Sequence, residues 1–219
     1  MKRRIRFSRP VAAALLGALL LAGCGVRYPK NYVLNLSQRT APAPGHRPPN
    51  LVLAPLAVRE FRCLDYLSEG RIVYRPSPEE VGFYEYHRWA VSPRESITQL
   101  VMDRIRTESL FQSVAAHERG TRTAYVLSGK IEQLEEVDQG RDVRAVCKIS
   151  AELRQVATGQ IVWSATASEV VPVAKRDVSG VVTSLSVAAR ITVDRLVDSL
   201  RESDAFPRQV TDQQSSTNK

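Results

Sequence analysis

An α+β two-layer sandwich, in which a mixed and mostly antiparallel sheet carries two helices on one face, is the fold that this 219-residue chain predicts. Three observations lead there. Residues 124–137, 143–156 and 160–172 are long alternating runs, joined by turns as short as Asp138-Gln139-Gly140 and Thr158-Gly159. Connections of that length permit only antiparallel neighbours, so the three runs form a meander. Ahead of them, Ile97, Leu100, Val101 and Ile105 repeat at helical spacing. Behind them, Val181, Val182, Leu185, Ala188, Ala189, Thr192, Leu196 and Leu200 do the same.

The remaining elements follow in chain order. Tyr32, Leu34 and Leu36 alternate with Val33 and Asn35, a short strand pattern that opens a single domain running from residue 31 to 203. Residues 41–50 hold Pro42, Pro44, Pro48 and Pro49 around Gly45 and read as a loop. Residues 51–58 form a second apolar run, and 71–75 and 81–89 are strand candidates rich in Val, Ile, Tyr and Phe. Ser92-Pro93-Arg94-Glu95 is a capping box with proline at the first helical position, and Leu110 and Phe111 close that helical segment. The last helix has a first turn crowded with β-branched residues, which favours a late start. Residues 204–219 are polar and read as a disordered tail. One sheet face is left without a covering layer, and such a face or a free edge is a natural docking surface.

The N-terminus has its own logic. Lys2, Arg3, Arg4, Arg6 and Arg9 precede an apolar stretch at 11–21, too short for a spanning helix, and Leu21-Ala22-Gly23-Cys24 ends it. This is the pattern of a lipoprotein signal at 1–23, with Cys24 as the acylated residue and 24–30 as a tether to the domain. Gly25 in place of Asp favours the outer membrane, and more than one acyl chain of the palmitate class makes anchoring permanent. Removing the signal takes the formal charge from +8 to +3. With no Lys/Arg run, zinc spacing or aromatic RNA-binding motif, a nucleic-acid partner is not expected.

Chemistry-bearing motifs are sparse. No G-x-S-x-G, H-E-x-x-H, phosphate loop or dinucleotide fingerprint is present, so the chain is not expected to be an enzyme or to hold a metal or cofactor. His46, His87 and His117 are the only histidines, and Glu79, Glu80 and Glu85 read as a solvated acidic loop. Cys63 and Cys147 leave a disulfide open, since exported thiols often pair, while Cys147 equally reads as a small hydrophobe on an alternating face. The dense feature is aromatic: Ile72-Val73-Tyr74-Arg75 followed by Gly82-Phe83-Tyr84-Glu85-Tyr86-His87-Arg88-Trp89-Ala90. Strict alternation puts Phe83, His87 and Trp89 on one face and Tyr84, Tyr86 and Arg88 on the other. Tyr74, Arg75, Tyr84, Tyr86, Arg88 and Trp89 are the candidate partner-binding residues, because Tyr, Trp and Arg anchor interfaces.

Those same segments carry a resemblance. The Cys24 signal, the early Tyr32-Val33-Leu34, the strand Arg71-Ile72-Val73-Tyr74-Arg75 and the segment Tyr86-His87-Arg88-Trp89-Ala90 resemble the ABC-type transport auxiliary lipoproteins, the PqiC-like family, over most of residues 28–200. The resemblance implies an outer-membrane lipoprotein accessory to an MCE-domain periplasmic protein and an ABC-type transporter moving lipid, with a homo-oligomeric ring as a compatible state. The insertion at 59–70 departs from the family pattern and bears on which partner is bound. The alternative is an outer-membrane assembly lipoprotein that binds a β-barrel or lipopolysaccharide; a periplasmic hydrolase lacks a visible nucleophile and base.

Overall fold

The computed structural model describes residues 28–37, 52–140 and 142–203. The signal at 1–23, Cys24, most of the tether, the Pro-rich 41–50 and the tail 204–219 lie outside the described residues. Among the described residues, nine strands run as β1 Lys30–Tyr32, β2 Val52–Val58, β3 Arg62–Cys63, β4 Arg71–Ser77, β5 Glu80–Trp89, β6 Phe111–Ala116, β7 Tyr125–Gln139, β8 Asp142–Gln155 and β9 Ile161–Pro172. Three helices of the described residues are interspersed: α1 Asp65–Ser68, α2 Pro93–Thr107 and α3 Val178–Glu202.

Strand β7 organises the sheet. One of its edges pairs antiparallel with β8 along its whole length, and β8 pairs antiparallel with β9, as the alternating runs require. Gly140 and Gly159, at φ 76° and 71°, sit in the two turns where only a residue without Cβ is comfortable. The other edge of β7 is shared in series by three parallel strands: β2 at 125–127, β3 at 130–131 and β4 at 136–137. Beyond them the sheet forks, with β6 parallel to β2 on one side and β5, then β1, beyond β4 on the other.

Helix α3 lies over β8 and β9, with α2 beside it. Its apolar stripe meets Val143, Ala145, Cys147, Ile149 and Leu153, all buried on one face of β8. A register shift in β7 between Ile131 and Gln133 keeps Leu134 under the helices opposite Cys147. The opposite face of the meander bears Ser128, Lys130, Ser150, Glu152, Ser164 and Thr166 around a shallow basin of about 480 Å³. That face is hydrated by its own composition and needs no second layer.

Several sequence expectations shift. The first strand lies at Lys30–Tyr32 rather than at 32–36, because β5 ends at Trp89, the partner of Tyr32, and offers nothing further to pair. Beyond it the chain is held by α3 instead: Asn35 N–H donates to Ser186 Oγ and Arg190 donates to the Asn35 carbonyl. Leu110 and Phe111 leave the helix, which stops at Thr107, and Phe111 opens β6. Ser92 begins α2 without a side-chain cap; only its carbonyl is used, by Ser96 N–H. Helix α3 starts early, at Val178, because Asp177 Oδ1 accepts from Gly180 N–H at 2.8 Å and overrides the weak propensity of the first turn. Cys63 and Cys147 are both free thiols, the second fully buried under α3, where burial pushes it up to about 12.

Candidate docking site

The β4–β5 ribbon hangs from β7 by a short ladder, Tyr74↔Glu136 and Arg75↔Val137. Two consecutive carboxylates of β7 strengthen that joint, one on each face, since neighbouring strand residues point opposite ways. Glu135, fully buried, faces away from the long helices. Its Oε1 accepts from Arg75 Nε at 2.7 Å and from Gln133 Nε2 at 3.2 Å, and its Oε2 accepts from Arg75 Nη2 at 3.1 Å and Tyr66 Oη at 3.1 Å. Arg75 further donates to the Pro78 carbonyl at 3.1 Å, closing the hairpin. Hydrogen bonding to Glu135 raises the already high pKa of Arg75, and burial raises that of Tyr66.

On the helix-side face, Glu136 accepts from Tyr84 Oη at 2.6 Å. Burial pushes the Glu136 carboxyl up and, with the Glu136 hydrogen bond, the Tyr84 phenol up as well. A carboxyl whose folded pKa is raised adds stability below its unfolded value, and that stability is lost as pH climbs through the folded value. Glu136→Gln keeps an acceptor for Tyr84 and removes the charge. The variant should match wild type in acid, where the carboxyl is neutral, and exceed it in stability at pH 7, where the buried carboxylate is charged. Thermal melts across pH 4–8 read this directly, and parallel curves would show that Glu136 is not the cause.

Strict alternation fails in β5. Between the pairs Arg71↔Arg88 and Val73↔Phe83, one residue of β4, Ile72, opposes four of β5, 84–87, a bulge that turns the aromatics. Tyr84 and His87 come together, rings 5.8 Å apart, and Tyr84, Trp89 and Tyr32 pack against Ile72, Val178 and Val182. Phe83 lies on the other face under the Arg71 guanidinium, 4.1 Å from its ring centre. The six candidate residues therefore separate. Tyr74 packs on Tyr84 at 5.1 Å, Arg75 is bound to Glu135, Tyr84 to Glu136, and Trp89 is half-buried against the core. Tyr86 and Arg88 are exposed. Glu79, Glu80 and Glu85 are exposed as well, and His87 Nδ1 is 3.1 Å from Tyr32 Oη.

The residues missed from sequence are Glu135, Glu136, Tyr66 and Gln133. A signal for them existed. Two adjacent carboxylates in the middle of an alternating strand cannot both face solvent when one face lies under helices.

An open, helix-backed sheet of this kind is also that of protein XCC0632 from Xanthomonas campestris, whose crystal structure matches with a TM-score of 0.66 at 21% identity, covering 77% of this chain and 92% of that one. The crystal structure of an uncharacterized protein matches at a TM-score of 0.60 and 14% identity, over 79% of this chain and 99% of that one. The PelC dodecamer from Paraburkholderia phytofirmans is more distant, with a TM-score of 0.45, 21% identity, and 69% and 92% coverage. At these identities the first two likenesses are ones of fold. No curated protein matches the chain. The family model described as "ABC-type transport auxiliary lipoprotein component" matches residues 32–197. The chain belongs to that family, as its Arg71–Arg75 and Tyr86–Ala90 segments indicated.

Proposed function

We propose that this protein is a non-enzymatic, outer-membrane-anchored component of an envelope lipid-transport system, which docks a periplasmic MCE-domain protein of an ABC-type transporter to the membrane. The observation that carries the reading is the family match over 32–197, with the Leu21-Ala22-Gly23-Cys24 signal just upstream of the first strand. No helix among the described residues is long and apolar enough to cross a membrane, so in this reading attachment rests on acylated Cys24. The non-enzymatic part is supported by the polar groups at the joint between the ribbon and β7, Glu135, Glu136, Tyr66 and Tyr84, each of which is bound to a protein partner. Gly25 after the cysteine supports the outer membrane.

Affinity capture from gently solubilised membranes should recover an MCE-domain protein together with the lipoprotein. Cys24→Ala should move the chain out of the outer-membrane fraction, since the acyl chains supply the permanent part of the attachment. Capture without any MCE-domain protein, from a strain whose lipid asymmetry is insensitive to Cys24→Ala, would overturn the reading.

A further inference from the structure

The outer edge of the forked sheet, β1 on β5, carries an unusual surface. Tyr28, just before β1, is 82% exposed, Val33, just after it, is 56% exposed, and Val91, just after β5, is 40% exposed. The register Lys30↔His87, Asn31↔Arg88 and Tyr32↔Trp89 sets these residues beside exposed Tyr86 and Arg88. Two phenols, two aliphatic side chains and the cations Lys30 and Arg88 thus share one narrow edge, with Glu85 as the carboxylate of the adjoining strand. Apolar bodies flanked by Lys and Arg, with Tyr at the margin, are the composition that settles at a headgroup–acyl boundary.

The covalent chain limits where this edge can be. Tyr28 lies four residue steps along the chain from Cys24. Fully extended they reach about 14 Å, less than the thickness of the domain. The sheet path β1-β5-β4-β7-β8-β9 has five strand spacings, about 24 Å at roughly 4.8 Å each. An acylated Cys24 therefore brings the β1 edge to the bilayer and leaves the β9 edge on the far side.

We infer that the β1–β5 edge is a membrane-contact surface, in which Tyr28, Val33, Tyr86 and Val91 sit in the headgroup layer while Lys30 and Arg88 meet lipid phosphates. The inference rests on Cys24 acylation as proposed above, and it assigns the sheet an orientation. The β9 edge points away from the bilayer, toward a partner approaching from the periplasm.

The test uses the full acylated chain in vesicles of phosphatidylethanolamine and phosphatidylglycerol doped with a headgroup-nitroxide lipid. Single bimane labels are placed at Val33→Cys, Val91→Cys or Val170→Cys, all exposed valines, in a Cys63→Ser background. Quenching at 33 and 91 should exceed that at 170, on β9, several-fold. Equal quenching at all three sites, or none on chains that co-float with the vesicles, overturns the orientation and leaves the anchor intact. Chains that fail to co-float overturn the anchor reading and the orientation together. Quenching at 33 and 91 that is absent while these labels self-quench between chains assigns the edge to a second copy instead.

Discussion

Arg75→Ala should destabilise the domain by about 3–5 kcal/mol, because it leaves a fully buried carboxylate without its bidentate cation. Glu135 has no exposed surface, and Tyr66 and Gln133 supply only neutral donors once the guanidinium is gone. The comparison variants separate the terms. Tyr66→Phe removes one hydrogen bond and should cost about 1 kcal/mol. Arg75→Met with Glu135→Leu replaces the pair by apolar groups and should recover most of the loss, since a buried pair is weak in net terms and costly only when broken. Chemical denaturation at pH 7 measures the three variants against wild type. An Arg75→Ala deficit below 1 kcal/mol would mean that water reaches Glu135. The location gives the result functional weight: this joint holds the ribbon whose outer strand bears Tyr86, Arg88 and the β1 edge.

How much of this was legible in advance differs by element. The meander was, to within two residues at each end, because alternation along β7, β8 and β9 is long and each turn carries glycine with positive φ. So was the face on which Cys147 lies. Helix α2 was legible from its stripe, although the predicted Ser92 side-chain cap is not made. What escaped was non-local. Strand β6 has a mixed pattern, Phe111-Gln112-Ser113-Val114-Ala115-Ala116, and exists because β2 offers a parallel edge from a segment nearly sixty residues earlier in the chain. The serial use of one β7 edge by β2, β3 and β4 leaves no mark in any one of those strands. The aromatic segment was visible as a cluster, but the bulge that rotates Tyr84 inward depends on register against β4, which composition does not encode. The candidate residues were thus found as a group, and their division into internal contacts and surface was not.

The second large effect concerns Gly129, near the middle of β7. Intrinsic preference alone makes this residue a weakness, since glycine inside a strand loses conformational entropy and packs nothing, so that alanine should gain roughly 0.5–1 kcal/mol. The structure reverses the sign. The ring of Phe61, buried to 1% exposure, lies on the glycine where a Cβ would stand, well inside contact distance of three ring carbons. Phe61 has little freedom to retreat: its N–H donates to Thr98 Oγ1 at 2.9 Å, and Thr98 Oγ1 in turn donates to the Arg94 carbonyl at 2.7 Å inside α2. The stack ties the 59–70 insertion to both layers, with an aromatic ring serving as the missing side chain of the glycine. Gly129→Ala should therefore cost about 1–3 kcal/mol by overpacking, and Phe61→Ala about 3–5 kcal/mol by cavity formation. Their combination decides the mechanism. In the Phe61→Ala background the added methyl enters vacated space, so Gly129→Ala should become neutral or stabilising, with a coupling of at least 1 kcal/mol in a double-mutant cycle. Additive effects would show that the ring moves aside freely, and that the insertion is held by β3 and α1 rather than by this contact.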